Sequence, residues 1–139
     1  MEAGTAEGLQ HPLPFFDFAH LLARHRFREL VAEAIDSLPE EFASRLDNVA
    51  VLVEDWPTEE QLRGVKGTLL GLYEGVPQTA RSFLAPSGLP DRITVFRGPL
   101  CERAIDEQDL AHQVRVTIVH EVAHHFGIGD ARLRELGWG

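Results

Sequence analysis

Apolar residues recur every four positions between residues 110 and 126, and this spacing predicts one long helix. The residues at this spacing are Leu110, Val114, Ile118, Val122 and Phe126. Further apolar positions between them widen the stripe until only a narrow polar edge is left, as is typical of a buried helix. Asp106 is a good N-cap residue, and Asp109 follows it in the first turn, where the helix dipole favours acidic side chains. The helix is therefore predicted to begin after Asp106 and to end near His125.

Two further helices are predicted in the first third of the chain. Residues 17–36 have an amphipathic pattern with a helical period. Ser37 and Glu40 have the spacing of a capping box, and Pro39 falls in the first turn that this box would start. They predict a short second helix that ends near Leu46.

Between these helices and the long one, the pattern changes to that of β-strands. Residues 49–53 are a β-branched apolar run, which predicts a strand buried on both faces. Residues 69–73, interrupted by Gly71, predict a second strand. Residues 93–96 predict a third, which ends at Gly98. Helices that precede the strands, and one helix that follows them, favour an α+β fold over a doubly wound sheet.

The length of 139 residues fits a single domain. We assign that domain to residues 15–139, because residues 1–14 contain two glycines and two prolines without periodicity and are expected to form a flexible tail. Residues 74–91 contain two glycines and three prolines. Loops of this length inside a domain often contact ligands, so this one is a candidate for substrate contact.

Charge and cysteine content limit the expected partners and location. The net charge of −9 argues against nucleic acid or an anionic membrane as the main partner. The single cysteine, Cys101, cannot form an internal disulfide, which fits a reducing compartment. No leader sequence and no apolar run of about 18 residues is visible. The expected location is the cytoplasm, without a membrane span.

The polar edge of the long helix carries the motif HExxHxxGxxD. His120 and His124 are four residues apart, so a helix places their imidazoles on one face, where they can bind a single ion. A catalytic zinc takes three protein ligands and leaves a fourth position open. Gly127 can adopt a positive φ and turn the chain back toward the metal, which makes Asp130 the expected third ligand.

Glu121 lies beside the two histidines on the same edge of the helix. A carboxylate there can take a proton from a water that zinc activates and later deliver it to a leaving amine. This is the role of the glutamate when HExxH occurs in metalloproteases. Glu121 is therefore the predicted catalytic residue, and Zn²⁺ the predicted cofactor.

Other residues are alternatives or additions to this site. Cys101 or Glu135 could replace Asp130 as the third ligand. Tyr73 and Arg97 lie on predicted strands near the 74–91 loop, and either could contact the substrate or donate to a developing oxyanion. His125 points about 100° away from His124 and is predicted to be a surface residue or to support the site indirectly.

The chain resembles the Zincin-1 family, the small bacterial zincin-like proteins also called minimal metalloproteases. The resemblance covers about residues 27–138. Its most similar stretches are residues 29–31, 38–42, 48–51, 71–75, 89–93, 96–99 and 120–130. It implies an α+β zincin-like fold with a short mixed sheet and a buried active-site helix. It also implies a metal site at His120, His124 and Asp130 with Glu121 beside it.

The chain differs from the larger metzincins, which place a methionine-containing turn beneath the metal. Met1 is the only methionine here, and nine residues follow Asp130. The floor of the site is therefore expected to come from upstream segments or from Leu133, Leu136 and Trp138. The substrate cleft is expected to be shallow.

These observations predict a zinc-dependent peptidase that acts on a peptide or protein substrate. An extended peptide could add to a sheet edge at residues 93–97. One alternative is a metal-dependent endoribonuclease, because one bacterial family has a related H-x-x-x-H-x-x-G motif. However, that family has a small residue at the position of Glu121, and the acidic charge of this chain would repel phosphates. The other alternative is a binding module in which zinc only supports a partner surface.

Overall fold

The computed structural model describes residues 22–75 and 90–138. These residues form six α-helices and three β-strands. The helices are α1 (Arg24–Asp36), α2 (Glu40–Ala43), α3 (Glu59–Leu62), α4 (Arg97–Arg103), α5 (Glu107–Phe126) and α6 (Asp130–Glu135). The strands are β1 (Val49–Glu54), β2 (Gly71–Glu74) and β3 (Asp91–Phe96). The predicted α+β class is confirmed. The predicted tail at residues 1–14 and most of the candidate 74–91 loop lie outside the described residues.

The three strands form a mixed sheet in the order β1-β3-β2. β1 pairs with β3 in parallel, and β2 pairs with β3 antiparallel, with Tyr73 opposite Ile93. The prediction of a sheet edge at residues 93–97 is wrong, because β3 has a hydrogen-bonded neighbour on each side. In the described part of the chain, β1 and β2 are the edge strands.

β1 is buried less than its sequence predicts. The apolar run at residues 49–53 does form a strand, but Leu52 is 40% exposed, and Val51 and Val53 are only half-buried. A strand buried on both faces needs covering layers above and below the sheet. At the edge position of β1 only one face packs against the core, so the prediction of burial on both faces is wrong.

The starts of α2 and α4 also differ from the predictions. The Ser37 hydroxyl donates to the carbonyl of Ala34 at 2.9 Å, at the end of α1, and Pro39 occupies the N-cap of α2. The predicted capping box of Ser37 and Glu40 is therefore wrong. Arg97 is the first residue of a helix rather than a strand residue. Pro99 fits the first turn of that helix, because its missing N–H would have no intrahelical acceptor there.

The core forms around α5, which packs against α1, α4 and the sheet. Its buried residues are Leu110, Val114, Thr117, Ile118, Val119, Val122 and Ala123. All of them except Thr117 form one hydrophobic cluster with Phe27 and Leu30 of α1 and with Ile93 and Val95 of β3. The predicted burial of this helix is confirmed. None of the helices in residues 22–75 and 90–138 is long and apolar enough to cross a membrane.

Candidate metal centre

The two ends of α5 place the motif at a defined position. At the start, the Asp106 side chain accepts a hydrogen bond from the Asp109 amide at 2.8 Å, as its sequence predicts. At the end, Gly127 has φ +71°, and the amide of Ile128 donates to the carbonyl of Ala123 at 2.8 Å. This is a left-handed helix-ending turn, which only glycine forms without strain. The predicted turn at Gly127 is confirmed, and it leads directly into α6 at Asp130.

The turn brings the motif residues to one cavity of about 480 Å³. His120, Glu121, His124 and Asp130 line it, together with Leu133 from α6. Both imidazoles are exposed to solvent, one helical turn apart. Leu133 is buried, so α6 contributes the apolar floor that was expected of the segment after the motif.

The donors around this cavity suit zinc, which binds imidazole nitrogen and carboxylate oxygen. Two imidazoles at i, i+4 on an exposed helix edge are the strongest part of that fit. Asp130 is exposed at the first position of α6 and lines the same cavity. Within residues 22–75 and 90–138, however, no three His, Cys, Asp or Glu side chains lie close enough together to hold a metal ion. The three predicted ligands thus line one cavity without forming a closed shell, and their roles as ligands stay predictions.

Glu121 is held by the neighbouring edge strand. Its Oε1 accepts a hydrogen bond from the backbone amide of Tyr73 in β2, at 2.9 Å. Burial raises the pKa of the Glu121 carboxyl above its ordinary value, while the Tyr73 amide acts in the opposite direction. Both influences have a plain physical cause, because burial penalises the charged form and an N–H donor stabilises it. Glu121 is thus fixed in place on one side and faces the cavity on the other.

Gly71 allows β2 to approach the helix this closely. A Cβ atom built on Gly71 would lie 2.6 Å from Cγ2 of Thr117 and 3.8 Å from Cγ of Glu121. A separation below 3.0 Å is not tolerated without a shift of one partner. Glycine in a strand often marks such a close approach. In the sequence, Gly71 appeared only as an interruption of the strand, and its contact with α5 was not predicted.

Tyr73 lies at the candidate site, as its sequence position suggested. Its ring stacks on the His125 imidazole, with ring centroids 3.8 Å apart, and its hydroxyl donates to Oδ2 of Asp91 at 2.8 Å. A second cavity, of about 270 Å³, is lined by Tyr73 and His125 together with Glu121 and His124. His125 therefore supports the wall next to the motif. The role of Tyr73 as a substrate contact stays a prediction.

Arg97 does not lie at this site. Its guanidinium donates to Oδ1 of Asp55 at 2.8 Å and to the carbonyl of Leu22 at 2.9 Å, and Arg24 also pairs with Asp55. We call Asp55, Arg97, Arg24 and the Leu22 carbonyl the Asp55 cluster. Arg97 and, after it, Arg24 hold the pKa of the Asp55 carboxyl below its ordinary value. The structure gives Arg97 these structural partners and does not bring it to the motif residues.

The two alternative third ligands are poorly placed. Cys101 is buried in α4, and burial raises the pKa of its thiol to about 11, which disfavours the thiolate that binds metals. Glu135 forms an ion pair with Arg132 at 3.0 Å, and its side chain is 66% exposed. Of the three carboxylate and thiol candidates, Asp130 is the one that lines the cavity with both histidines.

Two contacts at the site were not predicted. Asp91 meets Tyr73 because these residues are diagonal neighbours across the antiparallel pair of β2 and β3. A correct strand register would have revealed this pair. The second contact joins Nε2 of His120 to the main-chain carbonyl of Trp138 at 3.2 Å. No side-chain pattern signals a backbone acceptor, so the sequence could not have indicated it.

Comparison with known proteins agrees with this architecture. A profile described as zincin-like metallopeptidase matches residues 46–138, about two thirds of the chain, including the whole motif. A solved structure with a similar fold is a conserved hypothetical protein from T. thermophilus. It is 28% identical, with a TM-score of 0.50, over 76% of this chain and 94% of that chain. No curated protein matches the sequence. The extent of the profile match shows that this chain belongs to the zincin-like metallopeptidase family.

Proposed function

We propose that this protein is a zinc-dependent peptidase in which Glu121 is the general base. The observation that carries the proposal is the placement of Glu121. Its carboxylate is held by the amide of Tyr73 beside a cavity that both motif histidines line. A base must be fixed within reach of the proton that it takes, and geometry is the first requirement for that role.

His120, His124 and Asp130 are the residues proposed to hold zinc. Zinc, when bound, supplies a Lewis acid that polarises a carbonyl and lowers the pKa of a water to about 7. The chain supplies the exposed imidazoles of α5 and a carboxylate just beyond the Gly127 turn.

The two oxygens of Glu121 are suited to different tasks. Oε1 accepts the Tyr73 amide hydrogen bond, which fixes the orientation of the carboxylate. Oε2 is the oxygen left to take the proton of the attacking water and to return it to the leaving amine. Burial favours the protonated Glu121 carboxyl that would form between these two proton transfers.

Tyr73 is proposed as a substrate contact. It lines the 270 Å³ cavity with Leu72, Glu121 and both adjacent histidines, so a peptide that enters this cavity would meet its ring beside Glu121. Its hydroxyl is already bound to Asp91, which fixes the ring rather than leaving it to rotate. A rigid aromatic wall beside a general base suits recognition of a peptide. No nucleic acid is expected as a substrate, because the net charge of the chain is −9.

Digestion of a peptide library tests this function directly. We expect cleavage that a chelator abolishes and that added Zn²⁺ restores. Glu121→Gln should abolish cleavage while retaining zinc, and Glu135→Gln, which removes an exposed carboxylate, should leave cleavage unchanged. Absence of any cleavage by zinc-loaded protein would contradict the peptidase proposal and favour a binding module. Cleavage of RNA without cleavage of peptides would favour the endoribonuclease alternative.

A further inference from the structure

An arginine lines the cavity that contains the motif residues. Arg134, in the last turn of α6, contributes to the 480 Å³ cavity together with Asp130 and Leu133 of the same helix. Residues three and four apart lie on one face of a helix, so α6 turns this face toward the motif. Among the described residues that line this cavity and the neighbouring 270 Å³ cavity, Arg134 is the one whose side chain always carries a positive charge.

The guanidinium of Arg134 has no ion pair or hydrogen bond within residues 22–75 and 90–138. Asp130 precedes it by four residues, a spacing at which helices often form ion pairs, but the two side chains do not pair here. The other arginine of α6, Arg132, pairs with Glu41 of α2 at 2.6 Å and with Glu135 at 3.0 Å. One arginine therefore ties α6 to the fold, and the other is available to a ligand in the cavity.

A carboxylate is the ligand that suits this guanidinium. The planar fork of N–H donors matches the two oxygens of a carboxylate and can bind them through two parallel hydrogen bonds. Much of the remaining lining is apolar and comes from Ala123, Ile128 and Leu133, which offer no competing side-chain donor. The net charge of −9 disfavours acidic ligands at long range, but salt screens exposed charges beyond about 10 Å. Contact with Arg134 therefore decides whether an anionic group stays in the cavity.

We propose that Arg134 selects peptide substrates that carry a carboxylate close to the scissile bond. This role rests on the proposed function, because it places the peptide in the cavity that Glu121 lines. The carboxylate comes either from the C-terminus of the peptide or from an aspartate or glutamate side chain, since both present the same group to the guanidinium. Glu121 and Asp130 line the same cavity and repel an anion, so the preference for acidic peptides depends on Arg134.

Cleavage of matched peptides tests this selection. One pair compares a free C-terminal carboxylate with its amide, and the other compares glutamate with glutamine at each position in turn. We expect wild type to have a kcat/KM about ten-fold higher for the acidic member of one pair, the size of a charge-assisted hydrogen bond at an exposed site. The pair that shows the difference identifies the source of the carboxylate.

Variants of Arg134 should change this preference in a graded way. Arg134→Gln should abolish it, and Arg134→Glu should reverse it, because a third carboxylate then repels the acidic peptide. Arg28→Gln is the matched control. Arg28 is an exposed arginine that lines a different cavity, between α1 and β1, so its variant should keep the wild-type preference.

Peptide binding provides a measurement that needs no turnover. In the Glu121→Gln background, calorimetric titration should give about the same ten-fold difference in affinity between acidic and neutral peptides. Addition of Arg134→Gln should remove that difference. Zinc affinity should change little in Arg134→Gln, because Arg134 makes no bond to Asp130 in the described structure.

The outcomes separate this selection from the proposed function. Equal cleavage of acidic and neutral peptides by wild type overturns the role of Arg134 and leaves the peptidase standing. A preference that persists in Arg134→Gln does the same. Altered zinc affinity with an unchanged peptide preference also overturns the role, because it makes Arg134 a support for Asp130. Failure of zinc-loaded wild type to cleave any peptide overturns the proposed function and, with it, the role of Arg134.

Discussion

Two carboxylates in this protein illustrate how the same side chain serves structure in one region and is available for chemistry in another. In the Asp55 cluster, Asp55 faces two guanidinium groups, and its pKa is lowered. Within the motif, Glu121 faces a single backbone amide and a partly buried surface, and its pKa is raised. The two arginines stabilise the ionised form of Asp55, so this carboxylate stays ionised. A carboxylate with a raised pKa is one that can take up a proton, and such groups cluster at functional sites.

The comparison also separates the two residues predicted to contact an oxyanion. Tyr73 and Arg97 both lie near the ends of strands, and the sequence offered no reason to prefer one. In the structure Arg97 belongs to the Asp55 cluster, while Tyr73 lines a cavity with Glu121. Arginine near a candidate site is informative only once its partners are known.

Of the changes considered in the two regions, replacement of Glu121 should have the largest effect on catalytic activity. We expect Glu121→Gln to lower kcat/KM for peptide cleavage by roughly 10²–10⁴-fold, the usual contribution of a positioned general base. Thermal stability and zinc content should change little, because glutamine keeps the shape and can still accept from the Tyr73 amide. A variant with wild-type activity would place the base elsewhere.

Replacement of Arg97 should show the opposite behaviour. Arg97→Gln removes charged hydrogen bonds to Asp55 and to the Leu22 carbonyl, and we expect the free energy of unfolding to fall by about 1.5–3 kcal/mol. Zinc binding and cleavage by the folded fraction should stay unchanged. Arg103→Gln, an exposed neighbour on the same helix, should have little effect on denaturant unfolding. Loss of activity at unchanged stability would return Arg97 to the list of substrate contacts.

Substitution of Gly71 tests the close approach of β2 to α5. The added methyl group of Gly71→Ala would meet Cγ2 of Thr117, so we expect overpacking to cost about 1–3 kcal/mol and to weaken the hold of Tyr73 on Glu121. The double variant with Thr117→Ser removes that Cγ2 and should recover most of the stability and activity. Urea unfolding of the four proteins in this cycle measures the coupling, and strict additivity would mean that the contact has no energetic role.

The smallest expected effect is on the acid side of the stability profile. Because the folded-state pKa of Asp55 is lowered, its stabilising contribution is fully present above its unfolded pKa of about 3.9 and is lost as pH falls through the folded value. Asp55→Asn should therefore be less stable than wild type near neutrality, with a difference that shrinks below about pH 4. Asp47→Asn, at an exposed carboxylate, serves as the control. A difference that stays constant down to pH 2 would remove Asp55 from the account of acid sensitivity.

Local signals in the sequence were enough to predict the helix that carries the motif. The four-residue apolar spacing, the Asp106 cap and the Gly127 turn all act within one element, and each is present in the structure. The position of β3 at the centre of the sheet, the helical start at Arg97 and the exposure of Leu52 depend instead on which elements become neighbours. Periodicity carries no information about that choice.

The same limit applies to the site. His120, Glu121 and His124 follow from helix geometry alone, whereas the amide of Tyr73 and the carbonyl of Trp138 are backbone groups brought there by tertiary contacts. Gly71 was visible in the sequence, but its meaning depends on Thr117, 46 residues away along the chain. Side-chain chemistry was therefore predictable, and the backbone groups that control it were not.

Zinc stoichiometry in matched histidine variants tests the central claim most directly. His112 and His120 are both exposed on α5, two helical turns apart, so His112→Ala removes an imidazole from the same helix without touching the motif. We predict about one tightly bound zinc per chain in wild type and in His112→Ala, and loss of that zinc in His120→Ala, as expected when one of three protein ligands is removed. Equal zinc content in His120→Ala and wild type, or no zinc in either, would contradict the assignment of the motif as a metal centre.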